Sequence, residues 1–296
     1  MNFVYAIICH QFTEPLVFTV KTLLESPCSR VILHIDAKTS LDEVLKIQKV
    51  LGEHPHLYYI PRSQVIDVRW GAVSQIEVML LLLGLAQCYD YQYFSLISGD
   101  DIPLSSNTSR ENFFDKAYSK KTEFIGYNPV HNAKQRIAIK YPSSFYQKDH
   151  SILGKMRHKF FLMYAHFSRK QDISHLPTLY KGSTWFSLTR EAVSYILDYV
   201  DQHPTYFEAF KYSLCGDEVF FQTILFNSPF SSYIYGINKN LPDCEMGGRY
   251  IDWVSGPSYP RELDQTDFEK MKRSGLLFAR KVKSDLPPEL FRSLIE

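Results

Sequence analysis

A chain of 296 residues, 45% hydrophobic and 22% charged, holds enough apolar side chain for one large α/β domain or two small ones. Its net charge of +1 argues against a dedicated nucleic-acid binder, which carries a strong basic excess. The five cysteines, Cys9, Cys28, Cys88, Cys215 and Cys244, are odd in number and lack CxxC spacing, which argues against a disulfide framework or a zinc site and predicts a reducing compartment. No basic-then-apolar leader opens the sequence, and the longest apolar run, Val78 to Ala86, is too short to span a bilayer. The expectation is a cytoplasmic protein able to touch a membrane, at the inner face. Aromatic content reaches 15%, which serves a large core and also suits stacking on sugar rings.

Phe3 to Cys9 is a continuous apolar run, as expected of a strand covered on both faces. Glu14 to Leu24 has helical spacing, Val31 to Ile35 is a second strand, and Leu41 to Leu51 carries apolar residues at 41, 44, 45, 47 and 51. Leu57 to Ile60 is a third strand. This alternation predicts a mostly parallel, doubly wound α/β sheet with helices on both faces and right-handed crossovers. No GxGxxG turn is present, so a dinucleotide site is not expected. A long apolar helix spans about Ser74 to Cys88, and a strand from Phe94 ends in Ser98-Gly99-Asp100-Asp101. Ligands bind beyond the carboxyl ends of strands in such sheets, so this acidic end reads as an active-site rim, a metal–nucleotide site, or a turn that only caps the strand. Ile102-Pro103-Leu104 is expected to stop regular structure.

From Lys134 to Lys170 the sequence holds nine Lys/Arg against one acid, Asp149, interleaved with aromatics. Read as an insertion at about 134–170 in a single domain over 1–296, this segment is a solvated basic face or a contact for an anionic membrane or acceptor. Gly182 to Leu188 reads as a strand, Thr189 as the N-cap of a helix to Val200, and Tyr206 to Tyr212 as helical. Asp217 is placed to cap a helix running to Phe226, with Glu218 in its first turn. Arg249 to Trp253, a helix from Asp267 to Ser274, and Leu277 to Lys281 complete the chain.

Six blocks occur in one order: His34-Ile35-Asp36-Ala37-Lys38, Arg69-Trp70-Gly71-Ala72-Val73-Ser74, Ser98 to Leu104, Lys181 to Phe186, Asp217 to Thr223, and Leu277 to Lys281. Together they resemble the core-2/I-branching N-acetylglucosaminyltransferase family, glycosyltransferase family 14, which also includes the peptide O-xylosyltransferases. The transmembrane anchor and stem of the animal Golgi enzymes have no counterpart in the sequence, so the resemblance is to a compact, bacterial-type member.

The resemblance implies a GT-A fold and an inverting, metal-independent transferase that uses a UDP-sugar, UDP-N-acetylglucosamine first and UDP-xylose second. The acceptor would be a hydroxyl of a polysaccharide, lipid-linked glycan or glycoprotein. It implies Glu218 as general base and Lys281 as a cation for the leaving diphosphate, with Arg261, Arg249 or Arg280 assisting. Asp36 and Lys38 are assigned to the uridine side, Asp101 to the donor-sugar pocket, and Asp100 to the turn. Acceptor contacts are expected from Glu123, Arg136, Trp185, Tyr250 and Trp253, whereas Tyr5, Cys9 and Trp70 read as packing. A glycoside hydrolase using Asp101 and Glu218 is the rival enzyme reading, and a carbohydrate- or membrane-binding module the non-catalytic one.

Overall fold

The structure is a computed structural model that describes all residues except 131, 147–153, 155, 157, 158, 162, 164–169 and 257–259. Part of the basic segment, including Lys148, Asp149, Lys155, Arg157 and Arg169, therefore lies outside the described residues. The main sheet comprises β1 (Phe3–Cys9), β2 (Ser29–Ile35), β3 (Leu57–Tyr59), β4 (Tyr93–Ser98) and β6 (Ser187–Thr189), in the order β3-β2-β1-β4-β6. The first four are parallel, and β6 runs antiparallel to β4.

Successive residues of β1 serve opposite faces, which is why the run shows no polar alternation. Val4 and Ala6 pack toward α3 (Ser74–Ala86), α6 (Arg190–Gln202) and α8 (Asp217–Phe226). Phe3, Tyr5 and Ile7 pack toward α1 (Glu14–Leu24), α2 (Leu41–Leu51) and α4 (Asn107–Tyr118). The α/β architecture with a mostly parallel sheet and helices on both faces is thus the one the alternation of elements predicts, and it is the layering expected of a GT-A transferase. Thr13, Ser40 and Thr189 each cap a helix through the side-chain oxygen, at α1, α2 and α6.

Three local expectations are corrected, and one helix is added. Ile102-Pro103 does not end regular structure but forms β5, a two-residue strand where proline's missing N–H costs little. It pairs antiparallel with β8 (Phe278–Arg280), which pairs in parallel with β7 (Arg249–Ile251), giving a second, three-stranded sheet. Of the Gly182 to Leu188 stretch only the end enters β6, and the residues before Ser187 form a loop. Asp217 opens α8 as its first residue and makes no cap hydrogen bond. A C-terminal helix, α11 (Pro288–Ile295), packs Phe291 and Leu294 beneath the second sheet, a feature the sequence reading left out.

Arg249 joins the two sheets. It is fully buried and donates to the carbonyls of Gly247 (2.6 Å), Phe186 (2.9 Å) and Leu96 (3.0 Å), with its guanidinium 4.8 Å from the Phe278 ring centroid. Burial lowers its pKa to about 10, so it stays charged at neutral pH while reaching no solvent. It is therefore a structural cation, not an assistant to Lys281.

Glu123 is also internal, contrary to the expectation of an acceptor contact. It is fully buried, and its two oxygens accept from Thr189 N (2.8 Å) and Thr189 Oγ1 (2.5 Å), which ties the chain before the second half of the sheet to the N-terminus of α6. Burial pushes its carboxyl from 4.5 to about 7, against the two Thr189 hydrogen bonds. A raised folded value means that the protonated form favours folding. The contribution is present below 4.5 and is lost as pH rises through about 7. Glu123→Gln should therefore gain stability relative to the wild type across that window, by up to about 3 kcal/mol. Denaturant unfolding at several pH values checks this; a difference independent of pH would show that the carboxyl titrates normally.

Candidate active site

The strand order reverses between β1 and β4, so their carboxyl ends form the crevice of the sheet. Gly99 permits the closure there: a Cβ on it would lie 2.8 Å from the Cβ of Cys9. Its carbonyl accepts from Thr13 Oγ1 at 2.6 Å, and its N–H donates to Ile8 O at 2.9 Å. Asp36 and Asp100 both stand near the buried Cys9 thiol, which burial and these two carboxylates push up.

The acidic pair divides its tasks in the reverse of the expected way. Asp101 is fully buried, with Oδ1 accepting from Ser98 Oγ (2.5 Å) and Oδ2 from Ser98 N (3.0 Å), so it holds the turn. Burial raises its pKa, opposed by Arg280 and by these Ser98 bonds. Asp100 instead faces Lys281, with 3.6 Å between Oδ2 and Nζ. An inward Asp101 can neither line a donor pocket nor act as one of two glycosidase carboxylates, which removes that rival.

The β5–β8 pairing is what brings the acidic block and the C-terminal block together, Ile102 opposite Ala279 and Pro103 opposite Phe278. Arg280 then lies with Nε 3.8 Å from Asp101 Oδ1 and its guanidinium 3.9 Å from the Trp185 ring centroid. Lys281 keeps 40% of its side chain exposed, and its second acidic neighbour, Glu262, is 3.8 Å away. Arg261 lies one backbone bridge from Lys281, through Leu263 N to Lys281 O at 2.7 Å. Its guanidinium, however, is committed to Asp252 (3.1 Å) and to Asp267, so it fixes the loop and is not a free cation.

A second group surrounds Glu218. Arg136, on α5 (Ala133–Ala138), meets Glu218 Oε2 at 2.8 Å, and Lys181 Nζ meets the same oxygen at 3.0 Å. No contact to Oε1 arises among the described residues, and 26% of the side chain is exposed. Next to it Asp217 is buried, with Oδ2 accepting from Thr184 Oγ1 at 2.7 Å. Burial, and then the charge of Glu218, raise the Asp217 pKa. The loop from Lys181 to Phe186 thus reaches both groups, Glu218 through Lys181 and the acidic turn through Trp185 and Arg280.

The remaining expected residues are scattered. Asp36 accepts from Lys38 N (2.9 Å), Lys38 Nζ (3.2 Å) and Val68 N (3.3 Å), so its carboxylate braces its own loop. Lys38 is half exposed and also pairs with Asp67 at 3.0 Å. Tyr250 is half-buried on β7 against the small cluster that includes α11, and Trp253 is 53% exposed. Tyr5 and Cys9 are packed as expected, but Trp70 is 60% exposed beside the loop that precedes α8. Among the described residues no group of three or more His, Cys, Asp or Glu side chains comes together as a metal site, and no helix is long and apolar enough to cross a membrane.

The description Core-2/I-Branching enzyme matches residues 3–273. The chain belongs to that family. It is similar to two beta-glucuronosyltransferases of Arabidopsis thaliana, GlcAT14B, at 24% identity over 281 residues, and GlcAT14A, at 23% over 278. Both alignments cover 89% of this chain, which spans 59% and 57% of the plant proteins. Among solved structures it is similar to mouse xyloside xylosyltransferase 1 in its apo form, at 12% identity and a TM-score of 0.35, over 96% of this chain and 100% of that one.

The match of this Core-2/I-Branching enzyme ends before β8, so Arg280 and Lys281 enter the site through strand pairing and not through the matched residues. Sequence reasoning missed Lys181, although it begins one of the quoted blocks; its neighbour Gly182 is the signal that could have found it. A Cβ on Gly182 would sit 1.9 Å from the Gly126 carbonyl oxygen. Gly182→Ala should therefore displace the loop and destabilise the protein by on the order of 3 kcal/mol. A thermal midpoint equal to that of the wild type would show that the loop has room to move.

Proposed function

We propose that the chain is an inverting glycosyltransferase that moves a sugar from a UDP-sugar to a hydroxyl of a glycan, lipid-linked glycan or glycoprotein, forming a β-linked branch. The observation that carries this reading is the carboxylate of Glu218, one oxygen held by two cations and the other without a partner among the described residues. Such a group is fixed in direction yet keeps an oxygen for a proton. In the proposed step the acceptor hydroxyl attacks the anomeric carbon as Glu218 Oε1 takes its proton. The bond from that carbon to the UDP oxygen breaks on the opposite face, which inverts the centre. The diphosphate leaves with the bonding pair, and its added charge is met by Lys281, with Arg280 behind it.

The reading is metal-independent. Its support is that Asp101 spends both oxygens on Ser98 while Asp100 already faces a lysine, so the acidic turn is not arranged as a pair of outward oxygen ligands. A cytoplasmic location is part of the proposal and draws on five free thiols. UDP-N-acetylglucosamine is the proposed donor and UDP-xylose the alternative. The names of the two plant relatives add UDP-glucuronate as a competitor.

A donor screen by UDP release, run without acceptor against these three and UDP-glucose, should single out one of them. Glu218→Gln should lower transfer by about a thousandfold, because shape survives and the base is lost. Full activity in that variant would remove Glu218 as the base, and no UDP release with any donor would remove the transferase reading.

A further inference from the structure

We infer that Met156, Phe160 and Met163 dock the protein on an anionic bilayer surface. Residues 154, 156, 159–161 and 163 are helical. The three apolar residues fall at i, i+4 and i+7, one face of a helix. Each is largely exposed, at 63%, 64% and 63%. The opposite face is already satisfied, since Gly154 is buried and the Phe161 ring packs 5.0 Å from that of Phe145 and 5.6 Å from that of Tyr141. Folding therefore leaves the outward stripe without a task.

Charge selects the occupant. Lys159 is exposed next to Phe160, and a second exposed lysine, Lys140, stands 5.8 Å from the ring centroid of Tyr212, itself 51% exposed. The sequence from 134 to 170 carries nine basic residues against one acid. An apolar stripe with Lys159 beside it, in a basic segment, matches an anionic bilayer, where long side chains reach the headgroups and methionines adapt to acyl chains without a fixed partner shape. The same charge would repel the equivalent face of a second copy.

The platform under this helix adjoins the site. Tyr146 donates its hydroxyl to Ser213 O at 2.8 Å, and Leu214 N donates to Arg136 O at 3.2 Å, just ahead of Glu218. Resting on the transferase reading, this places a bilayer beside the base and points to a glycan carried on a membrane lipid as the acceptor class.

Flotation of the full chain with vesicles of phosphatidylcholine, alone or mixed with phosphatidylglycerol, tests the docking. The wild type should bind the anionic vesicles, less so at high salt, and leave the neutral ones. The combined variant Met156→Ser, Phe160→Ser, Met163→Ser should lose about tenfold or more of that binding, as should Lys140→Glu with Lys159→Glu, which alters only exposed charges. Absence of binding by the wild type, or equal binding by both variants, overturns the inference. So does a wild-type dimer that the stripe variant dissociates, since it assigns the stripe to a second copy. UDP release measured alongside separates the two proposals: vesicle binding without any turnover defeats the transferase reading and leaves the docking in place.

Discussion

Three stretches of backbone meet at Gly182 and Gly126, and the rest of the site depends on that contact. A side chain on Gly182 would run into the Gly126 carbonyl, and one on Gly126 into the Asp243 carbonyl, at 2.3 Å. With no side chain in the way, Gly182 N reaches Glu218 O at 2.9 Å and Asn128 N reaches Lys181 O at 2.7 Å. Gln222 adds a bond to Ser183 O at 2.7 Å. The loop is thereby pinned to α8 along its first half. Lys181, Thr184 and Trp185 each leave it toward a different charged group.

The electrostatics divide into fixed and available groups. Arg249, Asp101 and Glu123 are fully buried side chains whose partners are all internal; they hold sheets, a loop and a turn in register. Glu218 and Lys281 differ in keeping part of their surface open, at 26% and 40% of the side chain. Proton transfer and charge compensation are separate demands of a glycosyl transfer, and a fold that keeps one carboxylate and one cation accessible, each steadied by neighbours, can answer both.

Much of the layout was legible in the residues. The unbroken apolar run of β1 predicts a strand buried on both faces, and five of the six blocks fall within the residues that match the family. What adjacency could not show is rotation. Asp100 and Asp101 are equivalent on paper, and the hydroxyl and N–H of Ser98 decide which one turns inward. Arg261 and Glu123 lie where ligand contacts were expected, but other protein groups claim them: Asp252 and Asp267, within the same loop, for one, and the distant Thr189 for the other. Trp70 has the composition of a core residue, yet a loop turned by Gly71 at positive φ leaves it outside. Lys181 contacts Glu218 only because two glycine backbones touch, a tertiary event without a local pattern.

Calorimetry of UDP binding in the presence of EDTA tests the division of labour most directly, comparing the wild type with Glu218→Gln and Lys281→Ala. If Glu218 serves the proton and Lys281 the diphosphate, the wild type binds without metal, Glu218→Gln binds equally well, and Lys281→Ala binds about tenfold more weakly. Binding that vanishes in EDTA and returns with Mn2+, or that is lost in Glu218→Gln and kept in Lys281→Ala, would contradict it.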